Sequence, residues 1–163
     1  MLTEYTTYAE VRAALGVSEE EIDDTTLELQ MYESLLEEDL DAVSPVVRTT
    51  WLALPEDESL RTADEVKFAQ RLRLYSTYSV AAELLTSVEL FGYLKVADGR
   101  ASTERRPQAF DTIKANVQAM KLKARAWLLA SLELLVPGTP VTPAGTISWT
   151  SSVAPATDPV TGT

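Results

Sequence analysis

Residues 62–94, TADEVKFAQRLRLYSTYSVAAELLTSVELFGYL, read as one long amphipathic helix. Thr62-Ala63-Asp64-Glu65 has the form of a capping box, in which a threonine and a glutamate satisfy each other's backbone N–H groups. Val66, Ala69, Leu72, Tyr75, Ser79, Ala82 and Leu85 recur at helical spacing, and the pattern persists through Val88 toward Tyr93 and Leu94. Asp98-Gly99 is a turn signal. Pro107 suits the first turn of a following helix. Phe110, Ile113, Val117, Met120, Ala124, Trp127 and Leu135 give that helix its apolar stripe, which predicts core packing from Phe110 through Trp127. Two long helices joined by a loop predict an antiparallel pair.

Shorter segments lie upstream. Thr7-Tyr8-Ala9-Glu10 is a second capping box, and Gly16 supplies a C-terminal stop. Tyr8, Val11 and Leu15 share one face. Ser18-Glu19-Glu20-Glu21 repeats the capping signal. Leu29, Tyr32, Leu36, Leu40 and Val43 mark a second amphipathic helix ending near Ser44. Pro45 and Pro55 bracket a connector whose Trp51 and Leu54 are placed to plug one end of the core. The fold expectation is all-α: a four-helix body of two long antiparallel helices and two shorter ones over residues 1–135. An extended Pro/Gly/Thr-rich C-terminal arm follows over 136–163. No internal repeat or sustained heptad seam is present.

The arm, VPGTPVTPAGTISWTSSVAPATDPVTGT, holds five of the eight prolines, three of the six glycines and a single charged residue, Asp158. That density of Pro and Gly forbids a helix, and too little apolar surface remains for an independent core. Yet Ile147, Trp149 and Val153 favour burial. Two readings stand, a frayed terminus and a segment that docks on another chain. The alternating run Ile147-Ser148-Trp149-Thr150-Ser151 favours docking.

Net charge is −11 and unevenly spread. Residues 1–60 carry sixteen acids against two bases, whereas residues 100–135 carry seven bases against three acids. Such polarity fits an ordinary solvated surface or complementarity between neighbouring copies, acidic face to basic face. The overall field repels phosphate, so no strong nucleic-acid grip is expected. Cysteine and histidine are absent, which removes disulfides, thiolate metal sites and the commonest general base. The N-terminal MLTEYTTYAE does not resemble a signal peptide, and AWLLASLELLV at 126–136 is too short to span a bilayer. A soluble, intracellular protein is expected.

The search for chemistry is negative. No phosphate-cradling glycine loop and no nucleophile elbow occur. The acidic runs at Glu19–Glu21, Asp23–Asp24 and Glu37–Asp41 lack the spacing of a calcium loop, and such runs are usually solvated. No catalytic residue, cofactor or metal site is expected, and the chain does not read as an enzyme. Arg100, Arg105 and Arg106 cluster before the fourth helix. They suit a solvated hairpin tip or contact with a subunit or acidic partner.

The layout resembles the small helical head-to-tail connector proteins of tailed bacteriophages, also called adaptor or head-completion proteins. The residues carrying the resemblance are YTTYAEVRAALGVSEEEIDDTTLELQMYESLLEEDLDAV, the central helix into YLKVADGRASTERRP, and the long helix after it. Gly16-Val17 followed by Ile22-Asp23-Asp24 matches the family's turn before an acidic second helix. The match covers about residues 5–135 and is one of layout more than of motif. It implies a structural virion protein at the head-tail interface, present in host cytoplasm during assembly. Such proteins form a homo-oligomeric ring, usually of twelve copies, beneath the portal protein. The ring extends the DNA channel, passes DNA without specific binding, and offers a platform to the next tail or head-completion component. No membrane contact is implied. The arm is longer than the family pattern needs. The other reading is a non-viral cytosolic helical adaptor or regulator that binds a protein partner through its C-terminal arm.

Overall fold

The computed structural model describes residues 2–88 and 107–138, with side chains left aside at 87–88 and 107–110. Six α-helices occupy the described residues, which contain no strand. They are α1 (Tyr8–Leu15), α2 (Asp24–Leu27), α3 (Gln30–Val43), α4 (Val47–Leu52), α5 (Ala63–Val88) and α6 (Pro107–Leu135). The proposed reach of α5 toward Tyr93 and Leu94, and the Asp98-Gly99 turn, lie outside the described residues.

Both predicted capping boxes form. Thr7 accepts from the Glu10 amide at 3.3 Å while Glu10 accepts from the Thr7 amide at 3.1 Å. At α5, the Thr62 amide donates to Glu65 at 2.7 Å and the Glu65 amide donates back to Thr62 at 3.4 Å. Gly16 ends α1 in the left-handed region at φ +68°, a conformation that a Cβ disfavours.

The predicted second helix is broken in two. Ser18 does bond Glu21 through its amide at 3.0 Å, but the backbone there makes only a turn. Helix begins at Asp24, capped by Asp23, whose carboxylate accepts from the Thr26 amide at 2.8 Å. It stops at Leu27 and restarts at Gln30 after an extended Leu29. The reason lies in the apolar pattern. Leu27 and Tyr32 are both buried, yet five residues of continuous helix would set them about 140° apart at 100° per residue. The break at Glu28–Leu29 lets both face the core. Leu29, expected on the stripe, is instead 52% exposed. A second difference is α4, a short helix inside the Pro45–Pro55 connector. As expected, Trp51 and Leu54 pack against the core. The Trp51 ring sits 6.1 Å from that of Tyr5, and the Arg61 guanidinium lies 5.8 Å from the Trp51 ring centre.

Helix α5 is the hub and touches α1, α3 and α6. Four consecutive residues, Ser79 to Ala82, are buried, so the helix is covered on every side there. Its tie to α1 is partly polar. The Thr6 and Thr77 hydroxyls meet at 2.7 Å, and Arg73 Nε donates to Glu10 at 2.8 Å. The Ser44 and Ser76 hydroxyls are buried without a hydrogen-bond partner.

Among its described side chains, helix α6 is covered along one line, through Val117, Ala124, Leu128 and Leu132. This corrects the expected stripe. Trp127 lies about 80° around the helix from Val117, given 100° per residue, and remains 37% exposed. Ile113 is similarly exposed, at the edge of an open depression beside Leu15 and Tyr78.

Candidate interaction surface

The interaction residues expected from the sequence, Arg100, Arg105, Arg106, Ile147, Trp149 and Val153, all lie outside the described residues. Three features of the described residues bear on interaction, and the first lies where the arm joins the body.

The first is the root of the arm. Helix α6 ends at Leu135, and Gly138 takes the left-handed φ of +81° while its amide donates to Glu133 at 3.1 Å. This is the local chemistry expected where a helix stops at Pro-Gly, because proline cannot continue the ladder and glycine tolerates positive φ. Beside it lies a groove of about 360 Å³ lined by Val46, Ala53, Leu54, Leu135 and Val136, with Thr49, Thr50 and Glu65 at its polar edge.

The second is a charged junction of three helices. Lys121 on α6 donates to Asp39 on α3 at 2.5 Å and lies 3.8 Å from Glu83 on α5. The Ser79 hydroxyl donates to the same Asp39 oxygen. The neighbouring Tyr75 phenol is pushed above its ordinary value, first by burial and then by the Asp39 charge, with Arg125 acting against both. Tyr75 therefore stays protonated at physiological pH and serves packing. Asp39, Lys121 and Ser79 were not singled out in the sequence, because lone residues on three separate helices carry no spacing signal. Chemically, the junction holds α3 and α6 on the hub. Among the described residues, no group of His, Cys, Asp and Glu could hold a metal ion. No helix among them is long and apolar enough to cross a membrane.

The third feature is the outward face of α6. Leu122 is 62% and Leu134 59% exposed, flanking a strip of exposed alanines at 115, 119, 126 and 130. Lys123 lies 4.9 Å over the Trp127 ring on this face. Sequence reading missed the face, although a signal existed: α6 has more apolar residues than one core stripe uses.

No family model, curated protein or solved structure matches the chain.

Proposed function

We propose that this chain is a structural subunit of the head-to-tail connector of a tailed bacteriophage. In this reading, copies form a ring, of twelve subunits in the usual case, under the portal protein. The ring lengthens the DNA channel and presents a platform to the next tail component. Residues 2–135 act as the ring-forming body, with α5 and α6 running antiparallel. Two contacts support that direction: Arg71 donates to the Trp127 carbonyl at 3.1 Å, and Glu65 lines the same groove as Leu135. The C-terminal segment, with Ile147 and Trp149 as anchors on one side of an extended stretch, engages the portal or a neighbour.

The observation that carries the reading is charge polarity on an all-helical body. Helices α1 to α4 lie in the strongly acidic first sixty residues, and α6 carries Lys114, Lys121, Lys123 and Arg125. An acidic surface suits a channel along which DNA slides, because it repels the phosphate backbone. The layout shared with the connector family supplies the rest.

The test is electron microscopy of the full chain mixed with the portal protein encoded beside it. The expected result is a ring seated on the portal. A protein that neither joins that portal nor occurs in virions sinks the reading. A chain lacking residues 138–163 should keep its thermal stability and lose portal attachment, and Arg105→Glu with Arg106→Glu should weaken attachment without unfolding.

A further inference from the structure

The groove beside the root of the arm has a definite chemistry. Val46, Leu54 and Leu135 rest on the core and form its floor, while Ala53 and Val136 form an exposed apolar rim. Its volume, about 360 Å³, is near the low end of the range for ligand pockets and suits one or two side chains. Of its lining residues one is charged, Glu65, whose carboxylate already accepts from the Thr62 amide and hydroxyl. Thr49 donates its hydroxyl proton to the Val46 carbonyl at 3.0 Å, which leaves the Thr49 oxygen able only to accept. The groove therefore offers apolar contact edged by an acceptor. An indole is the complement, with an apolar body and a single N–H donor.

The chain carries an indole at a matching distance. Val136 is part of the rim, the described residues stop two positions later at Gly138, and residues 139–163 follow. In Thr142-Pro143-Ala144-Gly145, proline stands second and glycine fourth, the pattern of a type I turn. A chain reversed there returns with Trp149 level with Gly138 and Ile147 level with Pro140. In an extended segment those two side chains share one side.

We propose that in the free subunit this groove seats Trp149 of the chain's own arm, with Ile147 packed beside it. Covering the floor takes apolar surface of both partners out of water, and the indole N–H meets the Thr49 oxygen. The tether selects the chain's own arm over a neighbour's. A short linker holds the two at an effective concentration of about 1 mM, well above that of other copies in dilute solution. The seat is weak and releasable, so the arm is stored on the body and given up when a stronger site competes. This storage does not rest on the connector reading, in which the portal or a neighbouring subunit is the competitor.

The chain has no cysteine, so Ala53→Cys, at an exposed rim position, reports cover by its rate of maleimide labelling. The full-length chain should label at least about threefold more slowly than a chain ending at Gly138. Trp149→Ala in the full-length chain should abolish the difference. Thr50→Cys, at the polar edge of the groove, should repeat the result. Ala115→Cys, on the exposed side of α6, should label alike in both chains. Protection should be the same from about 1 μM to about 100 μM protein, because a tethered segment keeps a fixed effective concentration. A seat of this strength moves the thermal midpoint by only about two degrees, so the chains compared are both folded.

Equal labelling of Ala53→Cys in the full-length and shortened chains overturns the proposal. Protection that survives Trp149→Ala also overturns it, as does equal protection at Ala115. Protection that grows with protein concentration means that a neighbour's arm fills the groove, which overturns it too. Portal binding is scored separately. Protection without portal binding removes the connector reading alone, and portal binding without protection removes the seat alone.

Discussion

Helices α5 and α6 are nearly equal in length, 26 and 29 residues, and differ in how they are covered. Around its middle, α5 is buried on all sides, whereas α6 is buried along a single line and turns leucine and tryptophan to the outside. Similar propensity and similar length therefore give a hub in one case and a wall in the other. What separates them is the number of neighbours the rest of the chain supplies. Helices α1 and α3 pack on α5 more than on α6, so among the described residues the outer side of α6 has no partner.

The sharpest way to test that contrast is Leu72→Ala, which removes a fully buried side chain from the hub. A loss of about 3 kcal/mol is expected, combining lost transfer energy with a cavity that cannot collapse. Urea unfolding measures it, and a loss below half that size would mean α5 is not the hub.

Next in size is the junction that fixes α6. Lys121→Met keeps the aliphatic stem but leaves Asp39 without its cation and Glu83 without its neighbour. Asp39 retains the Ser79 hydroxyl and some water, so the cost should be about 1.5 kcal/mol and well short of that for an orphaned buried charge. Substituting both Lys121→Met and Asp39→Leu should recover part of it in a double-mutant cycle.

Smaller still is the end of α1. Thr7→Ala removes the cap and should cost about 1 kcal/mol. Glu10 ties this effect to pH. Burial pulls its carboxyl upward, but hydrogen bonds from Arg73 and Thr7 outweigh that and hold it below the usual glutamate value. A carboxyl depressed in the folded state stabilises above its unfolded pKa and loses that contribution as pH falls through the folded value. The gap between native and Thr7→Ala stability should hold steady near neutrality and shrink as pH drops below about 4.3.

The smallest effect belongs to the outer wall. Leu122→Ala should change monomer stability by less than about 0.5 kcal/mol, because its side chain is already in solvent. Thermal melts of Leu72→Ala and Leu122→Ala side by side would dissolve the hub-and-wall contrast if the two shifts were alike.

Where local chemistry determines an element, the sequence disclosed it. The two capping boxes, the Gly16 stop and the Pro107 start all rest on contacts a few residues apart. Where burial decides, the same reading slipped. Leu29 and Tyr32 keep perfect helical spacing, yet the need to bury Leu27 broke the helix and put Leu29 outside. Trp127 reads as core by size and spacing, but core depends on which side of α6 faces the hub, and that is set by α5 residues such as Arg71, 56 positions away. Lys121 and Asp39, 82 residues apart, could not be paired from one sequence for the same reason. The expected contact residues at 100–106 and 147–153 lie outside the described residues, so the candidate site is drawn from described features that the sequence reading did not single out.

The Lys121–Asp39 bond also bears on the order of synthesis. Helix α3 leaves the ribosome dozens of residues before α6, carrying five carboxylates and no base. Through that interval α5 has only α1 and α3 to cover it, and the side later sealed by Val117, Ala124 and Leu128 is open. Closing a loop of that length adds a chain-entropy cost that grows only slowly with separation, so the delay is set by translation rather than by search. The nascent chain should therefore stay loosely packed until α6 emerges, and a stalled product ending before Pro107 should be protease-sensitive while one ending after Leu135 resists.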